Sequence, residues 1–167
     1  IEQQLHDIFN GNYFYDNRLR LQAHIDGKMI GPALNDIVIT RTNLTKTPTI
    51  TINVFDYPVS QKMDGVIIST PTGSTGHALS LGGPVVHETM NCVMILPIAP
   101  VNKTPALIVE IKDITISSTD NSKIIIDGQQ VFDAKEKDNI TISKYPYDGV
   151  FLRIAKRGIR QLEKLGF

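Results

Sequence analysis

Disulfides are absent by arithmetic, because Cys92 is the only cysteine in the chain. It lies in the apolar run Cys92-Val93-Met94-Ile95-Leu96, which predicts a buried, inert thiol. Net charge is missing as well. Seventeen basic side chains against seventeen acidic ones provide no electrostatic footprint for nucleic acid or an anionic membrane, although a local site for a small anionic ligand stays open. No apolar run approaches the roughly 18 residues of a membrane span. The first residues, Ile-Glu-Gln-Gln-Leu-His-Asp-Ile-Phe, are amphipathic and acid-bearing and match neither a secretory signal nor a transit peptide. These absences predict a soluble, cytoplasmic protein. The chain begins at Ile1 with no initiator methionine, as a processed product or a piece of a longer protein would.

Several catalytic signatures are absent too. No Gly-x-x-x-x-Gly-Lys-Ser/Thr occurs, which excludes a P-loop. Gly73-Ser74-Thr75-Gly76 lacks the spacing of a nucleophile elbow, and His6, His24, His77 and His87 show no arrangement that supplies a base. His87-Glu88 has no second histidine in helical register, so zinc is not indicated. Long helical patterns between strands are also missing, and parallel crossovers of the Rossmann type need them.

What is present is a chain of 167 residues, 41% hydrophobic and 20% charged, enough for one domain with a real core. A short helix is expected near residues 1–10, ended by Asn10-Gly11-Asn12. Leu19, Leu21, Ala23 and Ile25 alternate with polar residues and run into Asp26-Gly27, a strand followed by a hairpin turn. Further strands are predicted around Ile37 to Ile39, Ile50 to Val54, Val66 to Ile68, Cys92 to Leu96, Ile114 to Ile116, Ile124 to Ile126, Ile140 to Ile142 and Val150 to Ile154. Val66 to Ile68 is apolar at consecutive positions, which predicts burial on both faces. Pro97-Ile98-Ala99-Pro100 is expected to end regular pairing. A terminal helix is predicted near 156–165. The sum is a mostly β, sandwich-like domain of nine or ten strands with two or three short helices.

The densest signal runs from Asp64 to Val86. A buried strand leads to Thr70-Pro71-Thr72-Gly73-Ser74-Thr75 and then to a helical turn or two, closed by Gly82-Gly83-Pro84. Small and hydroxyl side chains at such a turn let a ligand approach the main chain. Asn35-Asp36 and Asp127-Gly128-Gln129 supply groups suited to hydroxyl-rich ligands, since carboxylates accept from ribose hydroxyls and asparagine both donates and accepts. Each also has a structural explanation: Asp127-Gly128 as a hairpin turn, Asn35 as a cap and Asp64-Gly65 as a strand opening.

Thr-Pro-Thr-Gly-Ser-Thr followed by Leu-Ser and Gly-Gly-Pro, with Asp-Gly ahead of it, resembles the signature of NAD kinases, which phosphorylate the adenosine ribose of NAD to give NADP. Ala33-Leu34-Asn35-Asp36, Pro97-Ile98-Ala99-Pro100 and Asp127-Gly128-Gln129 resemble further motifs of that family in the same order. The resemblance spans residues 1–167 and implies the C-terminal, substrate-binding and oligomerising domain of packed β-sheets. It also implies an N-terminal α/β domain with a Gly-Gly-Asp-Gly motif, whose aspartate serves as general base. The sole Gly-Gly pair here, Gly82-Gly83, is followed by proline, so this chain alone is expected to bind NAD weakly at best and not to catalyse.

The resemblance further implies that Asn35 and Asp36 contact the adenosine part, that Thr75, Gly76 and Ser80 line the same pocket, and that His77 and Asp127 belong to the NAD-binding set. Asp64 and Ala99 would serve the nicotinamide end, reaching it from a neighbouring subunit in a homo-dimer or homo-tetramer. Mg²⁺ would accompany ATP or polyphosphate as phosphate donor in the full-length enzyme. Three departures stand out, one of them Val101-Asn102 after Pro100, where a His is frequent. Asp36 replaces the usual Glu and is one methylene shorter, and Gly76-His77 stands where Ala-Tyr is common, exchanging an aromatic surface for imidazole. A second reading remains, a non-catalytic nucleotide-binding or oligomerisation module with the same fold.

Overall fold

The computed structural model describes residues 2–154, 163, 165 and 166. After helix α1 (Glu2–Phe9) come β1 (Phe14–Arg18), β2 (Leu21–Ile25), β3 (Lys28–Ala33), β4 (Asp36–Arg41), β5 (Thr49–Val54), β6 (Tyr57–Lys62) and β7 (Gly65–Ser69). A 3-10 turn (Thr72–Thr75) and a single-turn helix α2 (His77–Ser80) interrupt the strands. The chain then continues through β8 (Cys92–Ile98), β9 (Leu107–Glu110), β10 (Ile114–Ser118), β11 (Ser122–Ile126), β12 (Gln130–Ala134), β13 (Ile140–Lys144) and β14 (Gly149–Arg153). The terminal helix expected over 156–165 falls almost wholly outside the described residues.

Two six-stranded antiparallel sheets form the body, in the orders β3-β2-β13-β10-β5-β6 and β12-β11-β4-β7-β8-β9, and β1 pairs with β14 as a separate ribbon. Alternation in the sequence decides which faces meet. Leu21, Ala23, Ile50, Ile52, Ile114, Ile116, Ile140 and Ile142 of the first sheet pack on Ile37, Ile39, Val66, Ile68, Val93, Ile95, Ile124 and Ile126 of the second. Interleaved Thr, Ser and Asn residues of the first sheet turn outward. Each fully buried isoleucine contributes roughly 1.5–3 kcal/mol, so these facing rows carry most of the stability.

β7 is the central strand of the second sheet and is buried at every position. Val66 and Ile68 face the sandwich core, whereas Ile67 points the other way and joins Val38, Met94 and Leu96 beneath Ala78 of α2 and Val86. Two-sided burial is thus met in an antiparallel sheet, because α2 and the segment after it roof the outer face. The 3-10 turn and α2 are thereby fixed over the end of β7.

The structure has fourteen strands among the described residues, more than the nine or ten predicted. Four of the additional ones, β3, β6, β9 and β12, are the edges of the two sheets. β8 also runs on through Pro97, which pairs with Val66, whereas β9 reaches only as far as Ile95. Pro97 therefore sits where one flank of the strand is open, and a missing N–H is tolerated there. Cys92 is buried as expected, and burial raises its thiol pKa. Among the described residues no helix is long and apolar enough to cross a membrane.

Candidate functional site

At the end of β7 the chain folds back against the turn between β3 and β4. The hydroxyls of Thr70-Pro71-Thr72-Gly73-Ser74-Thr75 divide into two groups there. Ser69, Thr70 and Ser74 point inward and are tied to the main chain. Thr70 Oγ1 donates to the Leu34 carbonyl (2.6 Å) and accepts from Gly73 N–H (3.2 Å), and Thr70 N–H donates to the Asn35 carbonyl (2.8 Å). Ser74 Oγ donates to the Pro71 carbonyl (2.7 Å) and accepts from Val86 N–H (3.2 Å), joining the roof to the turn. Gly73 lies so close to the facing turn that an added Cβ would stand 2.3 Å from the Asn35 carbonyl oxygen. No larger residue fits.

The facing turn is held by Asp127. Its Oδ2 accepts from Leu34 N–H (2.8 Å), and its Oδ1 accepts from Asn35 N–H (2.7 Å) and Asp36 N–H (3.1 Å). The backbone answers in kind, with Asp127 N–H donating to the Asp36 carbonyl (3.0 Å). Asp127 and Gly128 have φ of 50° and 67°, so the Asp-Gly pair does make the hairpin turn, and that turn aims the carboxylate at residues 34–36. Asp127 holds one wall of the site in place through its side chain.

Between the two turns lies a cleft of about 570 Å³ lined by Asn35, Asp36, Thr72, Thr75, Gly76 and His77, with Val38, Ile125, Asp127 and Gly128 completing it. That volume suits a small-molecule site. Asp36 is buried, and its carboxylate makes no hydrogen bond to another described residue. Burial pushes its pKa up, the His77 ring pulls it down, and the nearby Asp127 carboxylate raises it further. Thr72 Oγ1 is buried with no hydrogen-bond partner among the described residues. A buried acceptor and a buried hydroxyl without partners suit a ligand that presents both donors and acceptors.

Four of the expected adenosine-pocket residues, Asn35, Asp36, Thr75 and Gly76, thus converge on one cleft with His77, and Asp127 borders it while holding a wall. Ser80 does not line it: it is exposed at the end of α2, and its hydroxyl donates to the His77 carbonyl (2.7 Å). Asp64 and Ala99 sit together at the opposite end of β7 and β8, where Asp64 N–H donates to the Ile98 carbonyl (2.9 Å). Five strand residues separate them from the cleft, roughly 17 Å. Asp64 Oδ2 there meets Arg41 Nη2 at 2.9 Å. Thr72 was not among the expected site residues, because nothing in a run of hydroxyl residues shows which ones line the cleft.

Among the described residues no three His, Cys, Asp or Glu side chains come together to hold a metal ion. The described residues therefore offer no ready cage for Mg²⁺.

Comparison with known proteins agrees with this fold. The family profile described as ATP-NAD kinase C-terminal domain matches residues 27–154. The chain is 30% identical over 149 residues to an NAD kinase of Methanosarcina acetivorans, covering 86% of this chain and 54% of that protein. It is 35% identical over 161 residues to an NAD kinase of Pseudomonas syringae pv. tomato, covering 87% and 53% respectively. It thus spans about half the length of these relatives. Among solved structures it resembles an NAD kinase from Archaeoglobus fulgidus in complex with ATP, with 28% identity, a TM-score of 0.82 and coverage of 98% of this chain and 64% of that one. It also resembles yeast NADH kinase complexed with NADH, with 26% identity, a TM-score of 0.86 and coverage of 99% and 52%. With a two-sheet fold of the same shape and a family match over most of its length, the chain belongs to the ATP-NAD kinase C-terminal domain family.

Proposed function

We propose that the cleft receives the adenosine part of NAD, and that the full-length protein transfers a phosphoryl group from ATP or polyphosphate, with Mg²⁺, to the ribose 2′-hydroxyl to give NADP. The observation that carries this reading is the convergence on one cleft, beside Asn35, of Thr72, whose buried Oγ1 has no hydrogen-bond partner among the described residues, and Asp36, whose carboxylate accepts from none of them. A ribose hydroxyl donates to a carboxylate, and an adenine edge offers donors and acceptors to an amide and a hydroxyl. The described lining includes no lysine or arginine, which favours the nucleoside part of the ligand over its phosphates. This chain's residues bind and orient; the base that takes the hydroxyl proton belongs to the α/β domain that the relationship implies.

The placement of Asp64 and Ala99 one strand length away supports a site completed between copies of the chain, in which a neighbour presents these two residues to the nicotinamide end. A dimer or tetramer follows from that arrangement. Thr72→Val tests the reading, because it removes a hydroxyl that has no partner among the described residues and keeps the shape. In the full-length protein, NADP formation is expected to show a KM for NAD raised about fivefold or more, with thermal stability unchanged or higher. An unchanged KM would remove Thr72 from the substrate site.

A further inference from the structure

The charge in the cleft is one-sided. Asp36 from β4 and Asp127 from the turn between β11 and β12 contribute carboxylates, and among the described residues lining the cleft His77 alone can become positive. The two carboxylates are not equivalent. Asp127 is met by three N–H donors, whereas Asp36, only 6% exposed, has no donor from a described residue. When His77 is neutral, the charge of Asp36 is therefore uncompensated within the cleft. A ribose hydroxyl satisfies such a carboxylate by donating to it. A 2′-phosphate carries nearly two negative charges at neutral pH and would meet a like charge in a poorly solvated wall.

We propose that this cleft separates the dinucleotide from its 2′-phosphorylated form by charge, and that His77 sets the selectivity through its protonation. The inference rests on the dinucleotide reading of the cleft given above. Above neutral pH the phosphorylated dinucleotide is repelled by Asp36 and released. When His77 carries a proton, its imidazolium shares the cleft with Asp36, offsets that charge and lets the phosphorylated dinucleotide stay. Asp36 and His77 line the same cleft, and the His77 ring pulls the Asp36 carboxyl down against its burial. Histidine is the side-chain type that ordinarily changes charge between about pH 5 and 8. The tyrosine common at this position in the resembled family carries no such charge.

The test is a pair of NMR chemical-shift titrations of the chain, with NAD and with NADP, at pH 8 and pH 6, following the amides of Asn35, Thr72, Thr75, Gly76 and Gly128. Such titrations read millimolar affinities. The quantity read is the affinity for NADP relative to NAD within each variant, so a uniform loss of binding cancels. On lowering the pH the ratio is expected to move toward NADP by about tenfold or more, the effect of one unit charge a few ångströms from the phosphate at near-surface dielectric. His77→Asn is expected to remove most of that movement. A part remains, because the phosphate itself takes up a proton near pH 6. His77→Arg should hold the ratio toward NADP at both pH values. A ratio as steep in His77→Asn as in the parent, or flat in the parent, would overturn the role of His77 while leaving the dinucleotide reading intact. Cleft amides that fail to move with NAD at either pH would overturn that reading and this inference together.

Discussion

Replacing Asp127 by asparagine should loosen the cleft without disturbing the hairpin that carries it. Position 127 has φ of 50°, a conformation asparagine accepts as readily as aspartate, so the turn itself is spared. What changes is the set of three hydrogen bonds. The carboxylate accepts from Leu34, Asn35 and Asp36 N–H groups at 2.8, 2.7 and 3.1 Å. An amide oxygen in the Oδ1 position keeps two of these as weaker neutral bonds, and its NH₂ then faces the Leu34 N–H donor to donor. A hydrogen bond to a charged group is worth about 1.5–3 kcal/mol and a neutral one about half that. The site is part-buried, so the expected loss is about 2 kcal/mol. In urea unfolding this lowers the midpoint by about 1 M at unchanged m, and in calorimetry it lowers Tm by roughly 4–8 °C. NAD affinity should fall as well, because the tied turn is one wall of the cleft. A stability change below about 0.5 kcal/mol would refute the claim that this carboxylate holds the turn.

Asp36→Asn should have the opposite balance. Because the folded state holds the Asp36 carboxyl pKa above its ordinary value, the native chain keeps a proton that the unfolded chain has lost, and stability falls as pH rises from the ordinary carboxylate range through that raised value. The asparagine variant should lack this slope and gain about 1 kcal/mol at neutral pH by thermal unfolding, while binding NAD less tightly by calorimetry. Gly73→Ala places a methyl 2.3 Å from the Asn35 carbonyl oxygen and 2.6 Å from Ser69 Oγ. Overpacking of this kind should cost about 1–3 kcal/mol and spread the cleft walls, visible as lost stability with altered amide shifts at residues 34–36. Asp64→Asn is expected to reduce apparent NAD affinity of the assembled protein about tenfold, or 1.4 kcal/mol. Unchanged binding in titration calorimetry would confine Asp64 to its pairing with Arg41.

The inward strands were legible because burial writes period-two alternation into them: Leu21 and Ala23, Ile50 and Ile52, Ile140 and Ile142 all face the core. The sheet edges were not. Tyr57–Lys62 is exposed at five of its six positions and Leu107–Glu110 at three of four, so neither has the one-sided burial that produces alternation, and pairing alone leaves little trace in sequence. The site was legible in outline for the converse reason. A run such as Thr70 to Thr75 has too many small polar side chains for an ordinary turn. Its division into Thr70 and Ser74, tied to the main chain, and Thr72 and Thr75, which line the cleft, depends on contacts with Leu34, Pro71 and Val86 that are distant along the chain or set by the turn itself. The role of Asp127 as the holder of the Leu34–Asp36 turn is hidden likewise, since 91 to 93 residues separate the partners.

The central claim is that the cleft between the Asn35–Asp36 turn and the Thr72–His77 segment holds the adenosine of NAD. A crystal structure of the protein at saturating NAD tests it most directly. The account predicts adenosine seated against Asn35, Asp36, Thr72 and Thr75, with Thr72 Oγ1 and the Asp36 carboxylate each gaining a ligand partner. Adenosine bound elsewhere, for instance in the wider hollow of about 920 Å³ beside Asn53, Phe55, Lys112 and Lys144, with Thr72 and Asp36 still unpartnered, would contradict it.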